Sequence, residues 1–221
     1  MTASVKTVCL INGSPRGQKA SSLSFLQDAS RRLPDALYRK MVITVRGNSK
    51  QGYSAEILAG MAEADALVFV FPLYGYALPG ALMALLEEFH RFVLDGNAPN
   101  HDAKVYAVVN CGFPRPELTT VEAIRVMRNF CRRLALNWRF AICIGTGPVV
   151  VLTKKLPFLD RTLKKALAAI ATDMTGDAEA HVCDVFVRPV VPESVIRVIR
   201  QHYEKRGGMI EACREPAKEG S

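Results

Sequence analysis

The chain reads as an α/β protein built on a doubly wound, five-stranded parallel sheet. Two observations carry that reading. Short β-rich runs alternate with helical patterns five times over roughly the first 175 residues. The third run, residues 66–71 (ALVFVF), is apolar at every position, as a strand covered by helices on both faces must be. With 221 residues, 49% of them hydrophobic and 23% charged, the chain can bury one sizeable core. Disordered, collagen-like and low-complexity classes are excluded.

The elements follow in order. Residues 5–11 (VKTVCLI) form the first strand and end in the turn cluster Asn12-Gly13-Ser14-Pro15. Leu23, Leu26 and Leu33 then fall at helical spacing over residues 22–33, with Ser21 or Ser22 placed to cap that helix. Residues 41–45 are the second strand, and from about Ser54 a short helix carries Ile57, Leu58 and Met61 on one face. After the third strand, a helix opening at Pro79 has the stripe Leu82, Leu85, Leu86, Phe89 and Val93. Residues 104–109 make the fourth strand, and Val121, Ile124, Met127, Cys131 and Leu134 line the fourth helix. Residues 140–144 make the fifth strand. Leu159, Leu163, Ala166, Leu167, Ile170 and Met174 line the fifth helix, closed by Gly176. The domain therefore spans 1–176. Residues 177–221 are expected as an extension packed on the same domain, extended at 181–187 and helical at 193–206.

Composition narrows the function classes. Six cysteines at 9, 111, 131, 143, 183 and 213 contain no C-x-x-C pair, which argues against a disulfide scaffold or a cysteine metal site and for a reducing cytoplasm. The first residues lack the basic region and apolar run of a secretory signal. Residues 66–86 carry no charge and have the length of a membrane span, but Pro72, Gly75, Pro79 and Gly80 interrupt them. A strand, a turn and a helix account for that stretch, so no span is expected. The formal net charge of +8 suits an anionic ligand. No run of Lys and Arg exceeds two residues, so nucleic acid is not expected as a partner.

In a sheet of this kind, ligands bind beyond the carboxyl ends of the strands, where the strand order reverses. Three loops there are unusual. The first, Gly13 to Ser22, combines two glycines, the hydroxyls of Ser14, Ser21 and Ser22, the cations Arg16 and Lys19, and a helix N-terminus behind them. Free N–H groups and hydroxyls in that arrangement suit a phosphate. Neither G-x-x-x-x-G-K-[ST] nor G-x-G-x-x-G is present. The second loop, Pro72-Leu73-Tyr74-Gly75-Tyr76-Ala77-Leu78-Pro79-Gly80, is too apolar and aromatic for a plain connection, and suits a planar ring or a partner subunit. The third, Asn110-Cys111-Gly112-Phe113-Pro114-Arg115-Pro116, offers backbone donors for the carbonyl edge of a heterocycle. Its C-x3-R spacing is not the C-x5-R of a phosphatase loop.

Taken together, Gly13-Ser14-Pro15-Arg16, the paired hydroxyls Ser21-Ser22 before Leu23, and the Pro72-Leu73-Tyr74 segment resemble the NADPH-dependent FMN reductase family, related to the flavin domain of iron–sulfur flavoproteins. The resemblance covers residues 5–147 and implies a flavodoxin-like three-layer sandwich. It implies FMN as cofactor, with Ser14, Arg16, Ser21, Ser22 and Leu23 at the phosphate. Pro72, Leu73, Tyr74 and Gly75 would flank the ring and ribityl, and Asn110, Cys111, Gly112 and Phe113 the pyrimidine edge. In place of the iron–sulfur relatives' cysteine cluster stands Arg46-Gly-Asn-Ser-Lys-Gln-Gly-Tyr53, so no cluster is implied. Where the family often reads L-K-x-x-x-D-R, this chain has Leu82-Met-Ala-Leu-Leu-Glu-Glu88.

The activity implied is hydride transfer from NADPH or NADH to flavin N5, then on to a small-molecule electron acceptor such as a quinone or a flavin. No protein acid or base is required, in keeping with the absence of histidine from all three loops. The resemblance also implies a homodimer. A flavodoxin-like electron carrier and a flavin-free binding module are the alternatives; the positive charge argues against the first.

Overall fold

The computed structural model describes residues 5–45, 52–152, 157–176, 183–188 and 197. Among the described residues six strands form one all-parallel sheet: β1 (Lys6–Asn12), β2 (Tyr38–Thr44), β3 (Ala66–Pro72), β4 (Lys104–Asn110), β5 (Asn137–Ile144) and β6 (Val185–Val187). Their order in space is β2-β1-β3-β4-β5-β6. The chain thus turns back past β1 to lay down β3, and the strand order reverses between those two.

The alternation of side chains explains why the central strands are apolar throughout. In β3, Leu67, Phe69 and Phe71 enter one core, while Ala66, Val68 and Val70 enter the other. In β4, Val105, Ala107 and Val109 divide from Tyr106 and Val108 in the same way. The first core is closed by α2 (Ala55–Ala62), α3 (Gly80–Leu94) and α5 (Val121–Arg133), and the second by α1 (Ser21–Ser30) and α7 (Pro157–Thr175). Two short helices, α4 (Pro116–Thr119) and α6 (Gly147–Leu152), follow β4 and β5.

The fold departs from expectation in several places; β2 and β5 each begin three residues earlier, at Tyr38 and Asn137. The sheet has six strands, because residues 185–187 of the extension pair with Ile142–Ile144 of β5. Asp184 fixes that edge: its carboxylate accepts from the Ala141 N–H at 2.9 Å and from Arg128 at 2.6 Å. Val121 does not join the apolar stripe of its helix; it is 51% exposed, and Phe130 is buried in the core instead. Ser21 and Ser22 lie inside α1, whose N-cap is Ala20 with no side-chain cap bond. The helix expected over 193–206, the side chain of Leu159 and the loop at 46–51 lie outside the described residues. Among the described residues, no helix is long and apolar enough to cross a membrane.

At the amino ends of the strands, a polar network ties the sheet to α7. Arg139 of β5 donates twice to Asp173, from Nε at 2.9 Å and Nη2 at 2.7 Å, and the Tyr106 hydroxyl donates to the same carboxylate at 2.7 Å. Both partners of the ion pair are buried, their side chains 8% and 7% exposed. Burial opposes ionisation of Asp173, but the hydrogen bonds from Arg139 and Tyr106 and the charges of Arg139 and Lys104 outweigh it, holding the carboxyl below its usual range. Asp173→Ala leaves the guanidinium buried without its partner and is expected to cost about 3–5 kcal/mol of stability in urea denaturation. The contribution of Asp173 to stability is present above the ordinary carboxylate pKa, and it is lost as pH falls through the lowered folded-state value. The wild-type midpoint therefore falls more steeply with acidification than that of the variant.

Candidate functional site

The parallel register brings the carboxyl ends of β1, β3 and β4 to one level: Asn12 pairs with Val70, and Pro72 with Asn110. The loops leaving those ends converge on one cleft of about 140 Å³. Ser14, Arg16, Ala20, Ser21 and Ser22 line it from the first loop, Pro72, Leu73 and Tyr74 from the second, and Asn110, Cys111 and Gly112 from the third. Of the residues singled out from sequence, Leu23, Gly75 and Phe113 lie outside this lining.

The first loop is shaped by Asn12, a fully buried residue that sequence reasoning read only as part of a turn. Its amide accepts from the Ser14 N–H at 3.3 Å and donates to the Gly17 carbonyl at 3.3 Å, folding the loop back on the strand end. The Ser14 oxygen accepts the Arg16 N–H, which leaves the hydroxyl proton available. Because Ala20 brings no capping oxygen, no side-chain cap takes up the Ser21 and Ser22 N–H groups that open α1, while the Leu23 N–H turns back to the Ala20 carbonyl at 3.2 Å. Those N–H groups, the helix dipole and the Ser21 hydroxyl make an uncapped, electropositive end wall. The side chain of Arg16 lies exposed at its mouth.

The second loop is a tight hairpin. Tyr74 and Ala77 exchange both backbone hydrogen bonds at 3.0 Å, across Gly75 at φ +54° and Tyr76 at φ +66°. Positive φ at both central positions turns the chain within two residues and projects Tyr74 and Tyr76 outward, 43% and 52% exposed. Tyr76 stacks on Phe113 of the third loop with ring centroids 5.6 Å apart and planes 16° from parallel. Phe113 thus braces the hairpin and is not part of the cleft wall.

In the third loop, the Cys111 N–H is taken by the Ile144 carbonyl at 2.9 Å, whereas no carbonyl takes the Gly112 N–H among the described residues. The backbone donors expected here are those of Asn110 and Gly112; Asn110 ends β4 in register with Ile144, and the Gly112 N–H is open. The Asn110 side chain is buried at the cleft floor and accepts the Ser22 hydroxyl at 3.0 Å. Burial raises the Cys111 thiol above its ordinary range, with the hydrogen bond that the Thr119 hydroxyl donates to the sulfur pulling the other way. That is a resting thiol. Among the described residues no cluster of metal-ligating side chains occurs.

A fourth segment completes the site. The turn after β5, residues 145–148, places Pro148 in the cleft wall. Its Thr146 and Gly147 N–H groups donate to the Phe113 and Cys111 carbonyls at 2.9 and 2.8 Å. A Cβ on Gly145 would sit 2.9 Å from the carbonyl oxygens of Phe113 and Pro114, and one on Gly147 would sit 2.9 Å from Asn110 Cβ. The signal was present in the sequence, as Gly-Thr-Gly-Pro at a strand's carboxyl end. Chemically, the site offers donors for an anion at one end and flat apolar surface at the other.

The NADPH-dependent FMN reductase family model matches residues 7–137, more than half of the chain. The chain belongs to that family. It is accordingly an NAD(P)H-dependent flavin oxidoreductase, with FMN as cofactor and a nicotinamide nucleotide as co-substrate. Solved structures agree on the fold. An azoreductase from Bacillus anthracis str. Sterne superposes with a TM-score of 0.58 at 14% identity, over 76% of this chain and 100% of that one. An NAD(P)H:quinone oxidoreductase from Methanothermobacter marburgensis gives 0.53 at 14% identity, over 77% and 96%. An apo NADH:FMN oxidoreductase gives 0.57 at 14% identity, over 81% and 95%. No curated protein sequence matches the chain.

Two outcomes test this geometry. Gly145→Ala forces a methyl group against two backbone carbonyls and is expected to destabilise the protein by about 1–3 kcal/mol in urea. Native-state alkylation by iodoacetamide at neutral pH, read by mass spectrometry, should label the exposed Cys183 and spare Cys9, Cys111, Cys131 and Cys143. Burial holds the thiols of Cys9, Cys131 and Cys143 at about 12, so raising the pH to 9 leaves those three unlabelled while the fold persists.

Proposed function

We propose that the protein carries a hydride from a nicotinamide nucleotide through FMN to a small acceptor, a quinone or a flavin being the best suited. The observation that supports this most directly is the polarity of the cleft, a phosphate-sized set of donors at the α1 end and aromatic surface at the hairpin end. The residues present fit FMN. Ser14, Ser21 and the first N–H groups of α1 would take the phosphate, with Arg16 adding positive charge at the rim. Pro72, Leu73 and Tyr74 would flank the flat ring, and the open Gly112 N–H would meet its carbonyl edge. Bound FMN supplies the hydride chemistry; the chain binds and orients it.

Further readings belong with this one. Residues 177–221 are an extension of the single domain, which the pairing of β6 with β5 supports. The exposed Tyr74 and Tyr76 suit a homodimer contact across the cleft mouth. Free buried cysteines suit a reducing cytoplasm.

The test is the visible spectrum of the purified protein before and after FMN and then NADPH are added. Flavin bands that bleach with NADPH and return with a quinone are expected. Protein that binds no flavin in excess would overturn the assignment, and bound flavin that NADPH cannot bleach would make it a carrier.

A further inference from the structure

The paired hydroxyls at 21 and 22 are not equivalent. Ser22 is fully buried, and its hydroxyl is committed: it donates to Asn110 Oδ1 at 3.0 Å, bridging the α1 end of the cleft to its β4 end. A serine hydroxyl has one proton, so Ser22 has none left to give an anion. The Ser21 hydroxyl makes no such bond to the floor. At the other end of the bridge, Asn110 is only 4% exposed, yet it lines the cleft. With its oxygen engaged by Ser22, the two amide hydrogens remain, and no described residue accepts them. Gly147 lies beside that amide: a Cβ there would stand 2.9 Å from Asn110 Cβ and 3.2 Å from the amide nitrogen. The amide is therefore held by a hydrogen bond at its oxygen, with the Gly147 backbone close beside it.

We infer that Ser22 is a positioning residue for the ring end of the cofactor and not a phosphate ligand: it holds the Asn110 amide so that its N–H groups stay available as donors at the cleft floor. The inference rests on the flavin reading above. An amide with a free rotor would present oxygen or nitrogen to the cleft in turn, and an oxygen there would repel the carbonyl edge of a heterocycle. A donor to Oδ1 breaks that symmetry.

Riboflavin, which has the same ring without the phosphate, separates the two roles. Binding of FMN and of riboflavin to the full chain is followed by quenching of flavin fluorescence, for wild type, Ser21→Ala, Ser22→Ala and Ser22→Thr. Ser22→Ala is expected to weaken both ligands by the same factor, about tenfold for one lost orienting hydrogen bond. Ser21→Ala should weaken FMN and leave riboflavin unchanged. Ser22→Thr, which keeps the hydroxyl, should restore both. Asn110→Ala should remove most of the effect of Ser22→Ala in the double variant, since the hydroxyl then has nothing to hold. Loss of FMN affinity alone in Ser22→Ala would overturn the inference and return Ser22 to the phosphate. Unchanged affinity for both ligands, in a variant with wild-type circular dichroism, would overturn it as well. Wild type that binds neither flavin would overturn the flavin reading itself, and this inference with it.

Discussion

The close approach of the β5 turn to the β4 loop is the constraint on which the cleft depends. Gly145 and Gly147 carry no side chain because backbone oxygens and Asn110 Cβ stand where a Cβ would go. That proximity lets the Thr146 and Gly147 N–H groups reach the carbonyls of Phe113 and Cys111. A loop on its own would have to satisfy those carbonyls with water. Docked in this way, the β4 loop has a fixed path, and everything referred to it inherits that rigidity: Phe113 braces Tyr76 from one side, and Asn110 meets Ser22 on the other.

The sheet supplies the second condition. Parallel strands in register end at a common level, so loops far apart in sequence meet without any long excursion of the chain. At the opposite end, Arg139, Asp173 and Tyr106 lock β4 and β5 to the last turns of α7. A buried ion pair is a poor source of stability against a well-packed apolar alternative, but a half-removed one is costly. Its presence at the end remote from the cleft leaves the carboxyl ends free of such demands, and there the buried polar groups serve loop shape.

Strands β3 and β4 were legible because both faces are buried, so no polar residue breaks the run. The amino end of β5 was not. Asn137, Trp138 and Arg139 read as a connection, and Arg139 is tolerated in the sheet only through a partner 34 residues away. The start of β2 was hidden likewise, since Arg39 and Lys40 lie on an edge strand that leaves one side to solvent. The extended reading of residues 181–187 did not show that residues 185–187 pair with β5; Asp184, Arg128 and the Ala141 N–H fix that edge together. In the site, the three loops stood out because each broke a rule for ordinary connections. What the sequence could not convey was the division of labour within a motif. Ser21 and Ser22 are adjacent and identical, and only the hydrogen bond from α1 to the end of β4 shows that one points its hydroxyl at Asn110. In the same way, Asn12 passes for a turn residue until its amide is seen bonding both arms of the loop.

The contrast between floor and rim bears on the breadth of the proposed chemistry. The floor is made of buried polar groups with defined partners, and a ligand that mismatched them would leave donors or acceptors stranded at about 1–3 kcal/mol each. On the proposed reading, selection there is sharp and falls on the cofactor. The rim is Tyr74 and Tyr76 on a two-residue turn whose backbone conformation is fixed by Gly75 and braced by Phe113, with few directional groups. Flat apolar surface discriminates weakly, because adding or removing one small apolar group changes binding by only about 1–3 kcal/mol. On the proposed reading, a stringent floor commits the site to one cofactor, and a permissive rim leaves it open to many flat acceptors. Narrowing that range would require more directional groups at the rim than the Tyr74 and Tyr76 hydroxyls and the Arg16 guanidinium.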